Sequence, residues 1–135
     1  MKVSLISTCK NAAAHIEEFL GSVASQTRAP DEIVIVDGGS TDGTLDLLRR
    51  REGITLIEEP GAGIARGRNT AIGASTHDVI AVSDADCVLE PGWLEALLLP
   101  IEGGADVSMG FTAPITDGFL EEVFASLNVP DVRLV

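Results

Sequence analysis

Apolar positions along the chain fall into two interleaved patterns. Short, mainly apolar runs rich in β-branched residues occupy residues 3–6, where Ser4 interrupts, 33–36, 54–57 and 79–82, with a fifth at 105–109. Such runs predict β-strands covered on both faces. Between them apolar residues return every three or four positions, as on one face of a helix. Ile16, Phe19, Leu20 and Val23 make such a stripe within residues 15–25, Leu45 and Leu48 within 44–51, and Ile64 and Ile72 within 64–75. A fourth helix is predicted to open at Pro91, which suits a first helical position, and to run through Leu94, Leu97 and Leu98. Residues 119–127 fit one more helix, and residues 128–135 carry no stop signal, so the chain is expected to be truncated at its C-terminus. The order βαβαβαβαβ predicts an α/β fold: a parallel sheet, right-handed crossovers, helices on both faces, and a ligand site beyond the carboxyl ends of the strands.

Composition narrows the function. With 135 residues, 45% of them hydrophobic, the chain can bury one core without disulfides or a structural metal. Cys9 and Cys87 have neither zinc-ligand spacing nor a disulfide framework and are expected to be reduced thiols. Nine basic residues against 21 acidic ones give a net charge of −12, which repels nucleic acid and anionic membrane surfaces. A phosphorylated ligand would need a local cation. The first apolar run is too short for a signal peptide and no window has membrane-spanning length. The expectation is a soluble cytoplasmic protein, able to act at the inner face of the membrane.

The chemistry-bearing residues sit at predicted strand ends. Asp37 follows four apolar residues and precedes Gly38-Gly39-Ser40-Thr41-Asp42-Gly43-Thr44, a segment that is either an ordinary strand–turn–helix or the floor of a ligand site. After the fourth strand come Asp84-Ala85-Asp86; in an extended chain both carboxylates face one way, with Ala85 turned aside. Two convergent carboxylates suit Mg²⁺ or Mn²⁺ shared with substrate phosphates, and equally describe a solvated acidic turn. Arg68, four residues from both Ile64 and Ile72, is expected on the sheet-facing stripe, paired with Asp37 or Asp84 or directed at a nucleotide. Arg66 lies off that stripe, toward solvent. His15, His77 and Trp93 read as surface, turn and packing residues.

Together, the first strand ending at Asn11, the segment from Ile33 to Thr44, Gly63-x-x-x-x-Arg68-Asn69 and Asp84-Ala85-Asp86 resemble family 2 glycosyltransferases over residues 1 to about 110. The resemblance implies a GT-A fold, a Rossmann-like nucleotide-diphospho-sugar domain, with residues 1–135 as its donor-binding half. It implies an inverting transfer of sugar from a UDP- or GDP-linked donor to a hydroxyl of a glycan, lipid or small-molecule acceptor, assisted by Mn²⁺ or Mg²⁺. By position, Asp37 would meet the donor's base, Thr8 or Cys9 would line the base pocket, and Arg68 would lie near the nucleotide. Asp84 would approach the ribose and metal, and Asp86 would contact the metal. Asp37 and Asp84 are thereby expected to meet at one rim. The family's usual Pro-Thr-Tyr-Asn stands here as Thr8-Cys9-Lys10-Asn11, and its usual second Asp after the second strand is Gly38. The general base is expected outside residues 1–135; Asp117, Glu121 and Glu122 are carboxylates that no motif places in that role.

Three other readings compete. Asp84-Ala85-Asp86-Cys87-Val88 also resembles the first motif of haloacid-dehalogenase-like phosphatases, with Asp84 as nucleophile, although three βα units precede it here. A non-catalytic nucleotide-sugar-binding module would share the donor cleft. A sugar-nucleotide pyrophosphorylase would need a Gly-rich basic loop after the first strand, which this sequence lacks.

Overall fold

The first predicted strand occupies the middle of the sheet. In the computed structural model, which describes residues 1–113, β1 (Val3–Cys9) pairs in parallel with β2 (Glu32–Asp37) on one side and β4 (Val79–Val82) on the other. Beyond β2 lies β3 (Thr55–Glu58), giving the order β3-β2-β1-β4. The chain steps outward from β1 to β3, then crosses back to β4. This reversal places the topological switch point, where open α/β sheets form ligand crevices, between β1 and β4.

Side-chain alternation assigns the layers. Val3, Leu5 and Cys9 of β1 and Ile35 of β2 pack against α1 (Ile16–Ala24), α2 (Thr44–Arg49) and α4 (Trp93–Glu102). Ile6, Val34 and Val36 face the opposite way, onto Ala71 of α3 (Ile64–Ala74). The α1 stripe is the predicted one: Ile16, Phe19, Leu20 and Val23 are all buried. Each such side chain contributes about 1.5–3 kcal/mol by leaving water. β1 and β2 are covered on both faces, whereas Val82 on the edge strand β4 stays exposed.

Three sequence expectations change. The α3 face toward the sheet is Gly67 and Ala71, while Ile64 and Ile72 are 65% and 47% exposed. The cause is close approach: a Cβ on Gly67 would lie 2.9 Å from Thr8 Cγ2 and 3.5 Å from Val36 Cγ1, so only a residue without one fits without a shift. Pro91 is not the first residue of α4; it lies in the turn closed by Trp93 N–H donating to Glu90 C=O at 2.9 Å, and the helix starts two residues later. Residues 105–109 form no strand. Gly104, at φ +95°, reverses the chain after α4, and residues 105–109 make no ladder with β4, leaving Val107 and Met109 exposed. The helix expected at 119–127 lies outside the described residues. No helix among the described residues is long and apolar enough to cross a membrane.

Candidate functional site

The loops after β1 and β2 are built as one unit. Asn11 adopts φ 54°, a left-handed conformation that asparagine tolerates better than most residues. From there its Oδ1 accepts Thr41 N–H at 2.8 Å, and its own N–H donates to Ser40 Oγ at 2.8 Å. Ala12 N–H donates to Thr44 Oγ1 at 2.8 Å and Ala13 N–H to Asp42 Oδ2 at 2.9 Å. Gly38 completes the packing, because a Cβ there would stand 2.8 Å from the Ala62 carbonyl oxygen of the loop before α3. That loop is tied to its helix by Glu59, which accepts from Arg66 Nε at 2.5 Å and Thr70 Oγ1 at 2.6 Å.

These bonds make a pH prediction. The Thr44 hydroxyl and the Ala13 N–H hold the Asp42 carboxyl below the usual carboxylate range, as the Ser4 hydroxyl and the Thr76 N–H do for Glu32 and the Thr70 hydroxyl and Arg66 for Glu59. A depressed carboxyl stabilises the fold above its unfolded pKa, and that contribution disappears as pH falls through the folded pKa. Denaturant titrations should therefore show stability level above about pH 5 and declining below about pH 4. Asp42→Asn should remove part of the slope.

The acidic loop after β4 is held from behind. Ser83, Ala85 and Leu89 are buried, while Asp84 and Asp86 are exposed. Ser22 Oγ accepts Leu89 N–H at 3.1 Å, and the buried amide of Gln26 accepts Leu94 N–H at 3.0 Å and donates to Glu90 C=O at 2.7 Å. The loop is a turn, closed by Cys87 N–H on Asp84 C=O at 3.2 Å, rather than the extended segment expected. Both carboxylates nonetheless line the cleft.

That cleft, of about 460 Å³, opens beyond the carboxyl ends of β1, β2 and β4. Of the six residues expected at the donor, Thr8, Cys9, Asp84 and Asp86 line it, together with Lys10 and His15, whereas Asp37 and Arg68 are not among its lining residues. The Cys9 thiol points away toward Asp37, donating to its Oδ2 at 3.6 Å; burial foremost, then the Asp37 charge, pushes its pKa up to about 12. It is a wall, not a nucleophile.

Asp37 and Asp84 do not meet at one rim. Asp37 is 1% exposed and belongs to the turn beneath the cleft: its Oδ1 accepts Gly39 and Ser40 N–H at 2.9 and 2.8 Å, and its Oδ2 accepts Ser40 Oγ at 2.5 Å. The sequence placed it at the right strand end but could not show that the following turn folds over it. Arg68 sits at the side of the α3 stripe and pairs with Asp84, Nη2 to Oδ1 at 2.6 Å. Both partners are solvent-accessible, so the pair orients more than it stabilises. Arg66 is exposed, bonded to Glu59. Asn11 falls in the segment after β1 that carries the family resemblance, but nothing there marks it as a brace, and Ser22 and Gln26 carry no motif at all.

Among the described residues no three His, Cys, Asp or Glu side chains gather as a complete metal cage. Asp84 and Asp86 nonetheless offer hard oxygens on an open cleft. Two carboxylates completed by ligand phosphates are the arrangement Mg²⁺ commonly takes.

Known proteins resemble this chain in sequence and in fold. The pattern of glycosyl transferase family 2 matches residues 4–131, nearly the whole chain. The chain belongs to glycosyl transferase family 2. A similar protein, glycosyltransferase AglE of Haloferax volcanii, is 36% identical over 123 residues, covering 83% of this chain. The match spans only 40% of that relative's length. Among solved structures, S. aureus TarS 1–349 in complex with UDP-GlcNAc superposes with a TM-score of 0.67 at 27% identity, covering 76% of this chain and 32% of that one. The mannosyltransferase PcManGT from Pyrobaculum calidifontis, in complex with GDP-Man and Mn²⁺, gives 0.58 at 36% identity over 63% of this chain and 27% of its own. The GT-A fold expected for family 2 is the one observed.

Proposed function

We propose that the chain is the donor-binding part of an inverting glycosyltransferase that moves a sugar from a UDP- or GDP-linked donor to an acceptor hydroxyl. The observation that carries this reading is the placement of Asp84 and Asp86 on an open cleft at the switch point of the sheet. Structures similar to this chain, captured with UDP-GlcNAc or with GDP-Man and Mn²⁺, support it. Asp86 and Asp84 would hold Mn²⁺ or Mg²⁺, which when bound supplies Lewis-acid stabilisation of the departing diphosphate. Arg68 holds one oxygen of the Asp84 carboxylate, fixing its orientation. Thr8 and Cys9 wall the nucleoside, and Asp37 acts one layer back by fixing the Gly38–Ser40 turn.

In an inverting transfer the acceptor hydroxyl attacks the anomeric carbon opposite the leaving diphosphate, through an oxocarbenium-like state. A general base must take the hydroxyl proton. No described cleft residue is assigned to it, and Asp117, Glu121 and Glu122 lie outside the described residues. The acceptor is a glycan, lipid or small molecule, and the reaction belongs to the cytoplasm.

Saturation-transfer NMR with Mg²⁺ tests the reading. UDP-glucose or GDP-mannose should receive saturation at its nucleoside protons, while p-nitrophenyl phosphate neither receives saturation nor is hydrolysed. Hydrolysis of the phosphomonoester with silent nucleotide sugars would instead support a phosphatase acting through Asp84.

A further inference from the structure

Lys10 follows β1 directly and lines the cleft, yet neither metal binding nor the displacement at the anomeric carbon gives it a task. Its stem stands on the β2 side: a Cβ built on Gly38 would lie 3.7 Å from Lys10 Cβ. Asp84 and Asp86 close the opposite side, after β4, with the end of β1 between. Adjacent strands are about 4.8 Å apart, so the two sides are separated by about 10 Å. A diphosphate gathered at Asp84 and Asp86 therefore leaves its nucleoside to extend toward Gly38 and Lys10. No Phe, Tyr or Trp among the described residues lines this cleft, so the base finds no aromatic platform there. Lys10 is the only Lys or Arg among the described lining residues, and among the described residues it forms no ion pair. In a chain of net charge −12 this leaves one cationic side chain with no ion pair among the described residues, rooted on the β2 side of the cleft.

We propose that Lys10 is the specificity-determining contact to the nucleobase, donating to the exocyclic carbonyl of a keto base, uracil O4 or guanine O6. Cytosine and adenine carry an amino group at the corresponding position and would set a donor against a donor. The assignment rests on the chain's binding a nucleotide-sugar donor in this cleft.

Calorimetry in excess Mn²⁺ with UDP, GDP, CDP and ADP tests it on the wild-type chain, Lys10→Met and Lys10→Arg. The wild type should bind at least one keto nucleotide about tenfold more tightly than its amino counterpart, the scale of one well-placed donor. Lys10→Met should reduce that preference to about twofold by weakening UDP or GDP while leaving CDP and ADP unchanged, and Lys10→Arg should retain it. An equal loss for all four nucleotides in Lys10→Met would mean general attraction to phosphate and would overturn the assignment, as would an unaltered preference. Failure of the wild type to bind any of the four would overturn the donor reading and the base assignment with it.

Discussion

Asp86→Ala is expected to weaken Mn²⁺ binding in the presence of UDP or GDP by on the order of 100-fold or more, since even groups one shell behind a metal commonly cost 10–100-fold. Asp86 is exposed on the cleft wall, forms no ion pair among the described residues, and is presented by a turn whose neighbours Ala85 and Leu89 anchor in the core. Removing its carboxylate takes away a ligand without disturbing those anchors. The fold should therefore remain, with an unchanged unfolding transition, while the free Mn²⁺ signal in electron paramagnetic resonance persists at concentrations that the wild type would consume. Arg68→Met should have a smaller effect, because Asp84 loses its orienting partner but keeps its charge. A variant Asp86→Ala that sequesters Mn²⁺ as well as the wild type would remove Asp86 from the site.

Gly67→Val should produce the largest loss of stability, about 2–3 kcal/mol, equivalent to a fall in Tm of about 10 °C for a chain of this size. The missing side chain at Gly67 is what lets α3 settle onto β1 and β2, with Thr8 and Val36 already at contact distance from where a Cβ would stand. Two further methyl groups must displace Thr8, Val36 or the helix itself. Gly67→Ala should cost less, because alanine's better helix propensity offsets about 1 kcal/mol of the clash. Since Thr8 lines the cleft, both variants should also weaken nucleotide binding. Urea unfolding of the two variants checks the order.

Much of this architecture was legible because the sheet is parallel and its two inner strands, β1 and β2, are covered on both faces. Short apolar runs marked all four strands within a few residues, and the α1 stripe of Ile16, Phe19, Leu20 and Val23 is the buried one. The α3 face misled because its isoleucines advertise a hydrophobic stripe, whereas close helix–sheet contact selects Gly67 and Ala71. Residues 105–109 carry strand composition, but a strand exists only where its hydrogen-bonding groups find a partner ladder. At the site, the spacing of Asp84 and Asp86 was visible because the chemistry of both lies in one short segment. The role of Asp37 was not, since its burial depends on a turn that folds back through Ser40, and the braces Asn11, Ser22 and Gln26 act over contacts distant in sequence.

The central claim is that a nucleotide's diphosphate is held at the end of β4 through a divalent ion. Paramagnetic broadening locates that ion directly: Mn²⁺ is titrated into the ¹⁵N-labelled chain saturated with UDP or GDP. The amide signals of Asp84, Ala85, Asp86 and Cys87 should vanish first, while those of Gly53 and Thr55, across the sheet beside β3, persist. Early loss at Asp46 and Glu58 with the Asp84–Cys87 signals intact would contradict the account.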